Sequence, residues 1–277
     1  MPPRVVYWNN MPSPYLVDRL DRMAQRGNID IEGWFNVRAE PDRSWLVDEQ
    51  SWRFPYRYMH GAHRPPFVPA ELRTGPVPDV LVSLYAEPCF ILGSALARRR
   101  GARTAIWMEP TFDTWVTRRW WKDAVKRRVF AGVDRILTTG EDGKAFALRY
   151  GADGAKVRGL NYFADYERFS ADAFVFPTLG DPYGQVVGEA ATCGLPVVST
   201  SAAGEISSRI ENNVSGFIVP PANSAALLER MRWLARDPDL RARMGKEAEG
   251  RTAGQTLDRW CRDFEAIVAE VLAEGAR

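Results

Sequence analysis

Short apolar runs alternate with helix-patterned segments along almost the whole chain, and this alternation limits the fold more than any other feature. Strand-like runs read at 4–8, 29–35, 57–59, 79–85, 103–108, 135–139 and 156–160, with helical spacing at 15–25, 90–99, 117–131 and 141–150. Strands separated by helices predict a parallel sheet covered on both faces. Ser13 before Pro14 reads as an N-cap with proline at the first helical position, and Leu16, Leu20 and Met23 recur at helical spacing until Gly27-Asn28. Residues 37–78 read as a proline-rich aromatic insertion around one short strand, with Trp45, Trp52, Tyr56 and Tyr58. Residues 1–170 are therefore expected to form one doubly wound α/β domain.

The second part repeats the pattern but is short. Strands read at 173–177, 196–200 and 216–219, and helices at 184–193, 205–211 and 224–235, with helical text from Leu240 onward, interrupted near Gly254. A doubly wound half carries about six strands. Each missing strand–helix unit is worth roughly 30 residues, so the second half is roughly 80–90 residues short, with the deficit before Ala171. No linker composition marks the join at Ser170-Ala171. The join is expected to reflect either a genuine deletion or an omitted segment, and the remaining small sheet is expected to have an uncovered edge.

Composition supports a packed core: 45% of the 277 residues are hydrophobic and 26% are charged. With 37 basic and 35 acidic residues, net charge is only +2 and names no partner. The longest nearly uncharged apolar run, 89–97, is far short of the roughly 20 residues that span a bilayer. Three widely spaced cysteines, Cys89, Cys193 and Cys261, make no disulfide framework and no CxxC knuckle, which fits a reducing compartment. His60 and His63 sit in the proline-rich loop and read as surface residues. No GxGxxG follows the first strand, which argues against a nicotinamide-linked dehydrogenase.

The chemistry-bearing stretch runs from Asp172 to Thr200: strand, loop, helix, glycine stop, strand. Asp181 precedes Pro182 at the expected helix start, and Glu189 lies two turns on, with Gln185 and Pro182 on its stripe. Val187, Ala190 and Ala191 form another, apolar face, so the carboxylates point away from it. Such a helix begins at the carboxyl end of a parallel strand, where open α/β sheets bind ligands, and its N-terminus favours phosphate. Taken singly, Asp181 is equally well an N-cap, and Glu189 a solvated surface residue.

The string Asp181-Pro-Tyr-Gly-Gln-Val-Val-Gly-Glu189 resembles the acidic-x7-Glu motif of the retaining GT-B glycosyltransferases of family 4 (glycosyl transferases group 1). Residues 190–199, Gly204-Glu205, 216–221 and 237–245 extend the resemblance, and 140–152 with 165–169 look like the end of that family's N-terminal domain. The resemblance implies two Rossmann-like domains facing a cleft: an acceptor domain at 1–170, a shortened nucleotide-sugar domain at 171–256, and a helix at 257–277 crossing back to the first. It implies that Glu189 holds the ribose of a nucleotide-diphosphate sugar and that Asp181 sits against the transferred sugar. Tyr183, Gly184, Gln185 and Gly204 would line the donor, with backbone N–H groups near Tyr183-Gly184 and Gly204 meeting its hydroxyls and diphosphate. Asn9, Asn10, Ser13 and Glu109 would lie on the acceptor side, Glu109 alternatively capping local backbone. No metal and no further cofactor is implied.

The chain departs from the family in several places. Asn9-Asn10-Met11-Pro12 stands where relatives have a glycine-rich loop, Glu109 where a His is frequent, and Tyr162-Phe163 where Asn-Gly is common. The segment that would carry the family's diphosphate-clamping Arg and Lys is the one the length deficit removes. Two readings stay open: a retaining transferase acting on a glycan or lipid-linked glycan hydroxyl, or an internally deleted, inactive nucleotide-binding relative. Two basic stretches, Arg98-Arg-Arg-Gly-Ala-Arg103 and Arg118-Arg-Trp-Trp-Lys122 with Lys126-Arg-Arg128, read as solvated faces. The sharper alternative is that Arg118, Arg119, Lys122 and Lys126, with Trp120 and Trp121, hold the protein peripherally to anionic lipid on the inner membrane face; otherwise the expectation is cytoplasmic. Nucleic acid is not expected, since no recognition motif accompanies the charge.

Overall fold

The computed structural model describes residues 1–39, 48–59, 68–85, 87–108, 120–160, 171–181 and 183–274. The first lobe holds β1 (Arg4–Asn9), β2 (Asp30–Phe35), β3 (Tyr56–Tyr58), β4 (Val80–Ser83), β5 (Arg103–Met108), β6 (Arg135–Thr138) and β7 (Val157–Gly159). They form one parallel sheet in the order β3-β2-β1-β4-β5-β6-β7. The strand order reverses between β1 and β4, the switch point where such sheets open a crevice. These seven strands among the described residues agree with the sequence reading; β1, β2, β4, β5 and β6 are buried runs, while the short edge strands β3 and β7 are more exposed.

Helix α1 (Pro14–Arg26) follows β1. The Ser13 hydroxyl accepts from the Leu16 amide at 3.3 Å, Pro14 occupies the first turn, and Gly27 ends the helix in the left-handed region with its N–H on the Met23 carbonyl. Successive β1 side chains go to opposite faces. Val5 and Tyr7 meet Leu16, Leu20 and Met23 of α1, while Val6 and Trp8 meet Phe90 and Ala97 of α3 (Pro88–Arg99). Gly93 of α3 lies where any Cβ would collide with the Trp8 indole, so the helix needs glycine there. A one-turn helix, α2 (Ala70–Thr74), precedes β4, and α4 (Trp120–Gly132) and α5 (Gly140–Arg149) complete that face.

The second lobe carries a parallel sheet that has three strands among the described residues, in the order β10-β9-β8: β8 (Phe174–Phe176), β9 (Val197–Thr200) and β10 (Gly216–Val219). Helix α6 (Gln185–Thr192) and the short α7 (Ile206–Arg209) cover one face through Val187, Ala190 and Ile206. Helices α8 (Ser224–Arg236) and α9 (Pro238–Thr252) cover the other through Leu234 and Met244. β8 and β10 are the edges of this sheet among the described residues, and all three residues of β8 are half-buried. The join at Ser170-Ala171 falls at the border of residues 161–170, which lie outside the described residues.

The last helix, α10 (Leu257–Ala273), is capped by the Thr256 hydroxyl and packs in the core of the first lobe. Trp260 stacks on Phe264 at 5.2 Å and lies 6.1 Å from Trp107 of β5, and Phe264 lies 6.2 Å from Tyr7. Two charged clasps fix it: Arg26 to Glu265 at 2.7 and 2.9 Å, and buried Arg135 to Glu274 at 2.6 and 2.7 Å. These are two-pronged guanidinium–carboxylate contacts, the stronger kind of ion pair. The long helical text from Leu240 splits between α9 and α10 where Gly254 takes a positive φ of 79°.

Candidate functional site

The two lobes meet where α1 of the first faces α6 of the second. Glu189 is 5% exposed on α6, yet it does not turn into its own lobe's core. Its carboxylate faces the hydroxyl of Tyr15 on α1, the group placed to donate to it. Burial and then the Glu189 charge push the Tyr15 phenol up to about 12, so it stays a donor at neutral pH. The solvated-surface reading of Glu189 is thereby corrected: the side chain is an interlobe group.

Asp181 does not stand at the helix start. Pro182 lies outside the described residues, and α6 begins at Gln185 with Gly184 as its N-cap in the left-handed region, φ 61°. The Asp181 carboxylate folds back as an acceptor for the Tyr183 amide at 2.9 Å and for the Gly184 amide. Its backbone bridges to Ala203, and its carbonyl accepts from the Gly204 amide at 2.8 Å. The N–H groups of Tyr183, Gly184 and Gly204, expected to be open to a donor, are thus already bonded to Asp181. A loop rich in turn residues satisfies its own amides before a ligand arrives. The side-chain amide nitrogen of Gln185, Nε2, has no hydrogen-bond partner among the described residues.

Two guanidiniums flank this loop. Arg209, on α7, lies 3.6 Å over the Tyr183 ring and donates to the Gly184 carbonyl. Arg19, on α1, is buried beside the indoles of Trp260 and Trp107, at 5.1 and 5.9 Å, and its charge acts on Tyr183. Burial raises the Tyr183 phenol, with Arg209 and Arg19 working against it. Sequence reasoning passed over both. Arg19 left a signal, as a charged residue within the otherwise apolar buried stripe of Leu16, Leu20 and Met23.

A second interlobe contact lies at the start of α5. Glu205 accepts from the Asp142 amide at 2.6 Å, and its carboxylate occupies the space a Cβ on Gly140 would need. A carboxylate at a helix N-terminus faces the positive end of the helix dipole. Glu205 itself holds φ at 56°, a conformation that costs a non-glycine residue of order 1–3 kcal/mol. The interlobe face therefore gathers Tyr15, Arg19 and α5 from the first lobe with Asp181, Tyr183, Glu189, Glu205 and Arg209 from the second. Carboxylates suited to sugar hydroxyls stand near guanidiniums and a helix N-terminus suited to phosphate.

The acceptor-side residues are placed differently. The Ser13 hydroxyl is the N-cap of α1. Asn9 Oδ1 accepts from the Asn10 amide at 2.6 Å, and both asparagine carbonyls accept from Asn36, a buried residue the sequence did not single out. Asn36 in turn accepts from the Trp8 indole at 2.8 Å. Glu109 lies outside the described residues, as do Arg118, Arg119, His60 and His63. Lys126, expected on an exposed basic face, is instead buried beneath α4, 4.4 Å from the Tyr150 ring centre and 3.4 Å from Asp123. Burial lowers its ammonium pKa. Among the described residues no cluster of His, Cys, Asp and Glu is placed to hold a metal, and no helix is long and apolar enough to cross a membrane.

Residues 164–251 match the family model described as glycosyl transferases group 1. A D-inositol 3-phosphate glycosyltransferase of Frankia alni is 35% identical over 85 residues, covering 31% of this chain and 21% of that protein. The capsular polysaccharide biosynthesis glycosyltransferase CapM of Staphylococcus aureus is 34% identical over 90 residues, covering 31% and 23%. The matched stretch thus spans about a fifth of these curated relatives. Among solved structures, Anabaena Alr3699/HepE in complex with UDP and glucose is 11% identical with a TM-score of 0.75, covering 97% of this chain and 100% of that one. A glycosyltransferase from Rickettsia africae ESF-5 is 11% identical with a TM-score of 0.74, covering 98% and 99%. At these identities the structural matches speak to the fold, which is of the GT-B type.

Proposed function

We propose that this chain, which belongs through residues 164–251 to the glycosyl transferases group 1 and has a GT-B fold, moves a sugar from a nucleotide-diphosphate donor to a hydroxyl acceptor. The observation that carries the reading is Glu189: the last acidic residue of the family-like string faces the other lobe. Glu189 holds the ribose hydroxyls of the donor, and Asp181 lies beside the transferred sugar. Tyr183, Gly184, Gln185 and Gly204 line the donor, with Arg209 and the start of α6 near the diphosphate, whose departing negative charge they stabilise. The anomeric configuration is retained, the acceptor hydroxyl attacking from the face the diphosphate leaves. Asn9 and Asn10 lie towards that acceptor, a glycan or lipid-linked glycan. Neighbours of the same fold are described in complex with UDP and with UDP-glucose, which makes UDP-sugars the first donors to test.

A second reading has its own support. The loop amides are bonded to Asp181, Glu189 faces Tyr15, and the second sheet has three strands among the described residues. On this reading the chain binds a nucleotide weakly, or not at all, and turns over no sugar. Calorimetric titration with UDP, GDP and ADP, followed by assay of the matching nucleotide-sugars, separates the two. Turnover with retained configuration, abolished by Glu189→Ala, supports the transferase. Nucleotide binding without turnover, or neither in a folded protein, rejects the transferase and supports the second reading. The protein is further proposed to work in the cytoplasm, with a peripheral position on anionic membrane as the alternative; Lys122 and the exposed Trp120 and Trp121 are its described anchors once Lys126 is removed from the set.

A further inference from the structure

A cavity of about 690 Å³ lies between α3 and α4, on the face of the first sheet opposite α1 and α10. Among the described residues, none of the second lobe lines it and none of the interlobe site does. Its walls are mostly apolar, with Phe90, Ile106 and Val129 among them, and its size falls within the usual range for small-molecule pockets. Two of its polar wall groups are already satisfied: the Ser94 hydroxyl is bonded to Ser83 at 2.8 Å, and the Thr104 hydroxyl to Asp134 at 3.2 Å. The interior therefore offers burial in place of hydrogen bonds.

The rim is the opposite. Arg98, Arg99 and Arg128 border the cavity, all three are exposed, and none is in an ion pair among the described residues. Trp121 lies one turn before Val125 on the α4 stripe that continues through Arg128 and Val129 into the cavity. Trp120 is 83% exposed, Trp121 45% and Val125 42%. Indoles standing in water beside unpaired guanidiniums match the interfacial zone of a bilayer, where the ring lies at headgroup depth and the cation meets phosphate.

We propose that this cavity takes the acyl chain of an anionic membrane lipid, with the headgroup phosphate on Arg98, Arg99 and Arg128 and the tryptophans of α4 in the surrounding interface. The chain explains the apolar volume, and the phosphate explains the cationic rim. A purely electrostatic membrane contact needs no cavity, so the inference deepens the peripheral-membrane reading and rests on it.

The test measures binding of the full chain to vesicles of phosphatidylcholine alone and with phosphatidylglycerol added. Dodecyl phosphate below its micellar concentration serves as a single-chain probe, and inorganic phosphate as the headgroup control. The expected result is at least tenfold tighter binding to the anionic vesicles, and binding of dodecyl phosphate but not of inorganic phosphate. Ala95→Trp, at the exposed mouth, should weaken both vesicle and dodecyl phosphate binding about tenfold. Val125→Trp closes the mouth from the other helix and replaces Ala95→Trp if that variant does not fold. Arg98→Glu with Arg128→Glu should abolish the anionic preference. Anionic-vesicle binding untouched by the blocking variants overturns the cavity and leaves the electrostatic reading standing. Equal binding to neutral vesicles, or no binding to either, overturns both.

Discussion

The Tyr15 hydroxyl on α1 faces the Glu189 carboxylate on α6 and is placed to donate to it, so one lobe shields the residue the other needs for its proposed donor. A ribose that takes Glu189 must first displace that phenol. Tyr15→Phe is therefore expected to tighten binding of a nucleoside diphosphate. A hydrogen bond to a charged group is worth about 1.5 kcal/mol, close to tenfold in affinity. Titration calorimetry on the two proteins checks this, and an unchanged or weaker affinity in Tyr15→Phe would sink it.

Glu189→Gln keeps an acceptor for Tyr15 but removes the charge. The variant should unfold within a few degrees of the wild type and bind the nucleoside diphosphate at least tenfold more weakly. Thermal melts and titration on the same sample read both quantities, and undiminished affinity would take Glu189 out of the site.

Phe264 is buried against Trp260 and Tyr7, so Phe264→Ala leaves a hole in the first lobe's core. The expected loss is about 3–5 kcal/mol of stability, as for other buried aromatic truncations. Urea unfolding followed by tryptophan fluorescence measures it. A loss below about 1 kcal/mol would mean that α10 adds little to that core.

Glu32 gives the fold an acid-sensitive point. Burial alone would raise its carboxyl, but Arg4 at 2.8 Å, the Trp34 indole and Arg57 together hold it below the ordinary carboxylate value. A depressed value stabilises the fold above the unfolded pKa of about 4.3, and that contribution disappears as pH falls through the folded one. Glu32→Gln should cost about 1–2 kcal/mol at pH 7 and less at pH 3, below the unfolded value. Urea midpoints at the two pH values test the difference, and an equal penalty at both would refute the linkage.

The strands and their two groupings were legible because a buried parallel strand is a local signal: an apolar run such as Val5-Val6-Tyr7-Trp8 between turn residues. The stripe of α10 was legible for the same reason, through Trp260, Phe264, Ile267 and Val271. The Asp181–Glu189 string pointed to the region of the site but not to its present bonding. Asp181 closes on the Tyr183 and Gly184 amides because the chain turns back at Gly184, and no periodicity reports such a turn. Tyr15, Arg209 and Asn36 were invisible for a different reason. Their roles depend on partners far along the chain, and a phenol or guanidinium on a helix looks the same with or without them. Lys126 shows the converse error, since a basic run says nothing about which of its members turns inward.

The position of α10 has a consequence for biosynthesis. Val5, Tyr7, Val80, Val82 and Trp107 line the face that α10 covers, and all of them leave the ribosome long before it does. At 5–20 residues per second, the roughly 100 residues between β7 and α10 take about 5–20 s to translate. Throughout that interval the nascent first lobe leaves part of its greasy face open to solvent, with α1 shielding much of the rest. A ribosome that stops anywhere within 160–256 releases a lobe that cannot close, a natural client for chaperones and proteases.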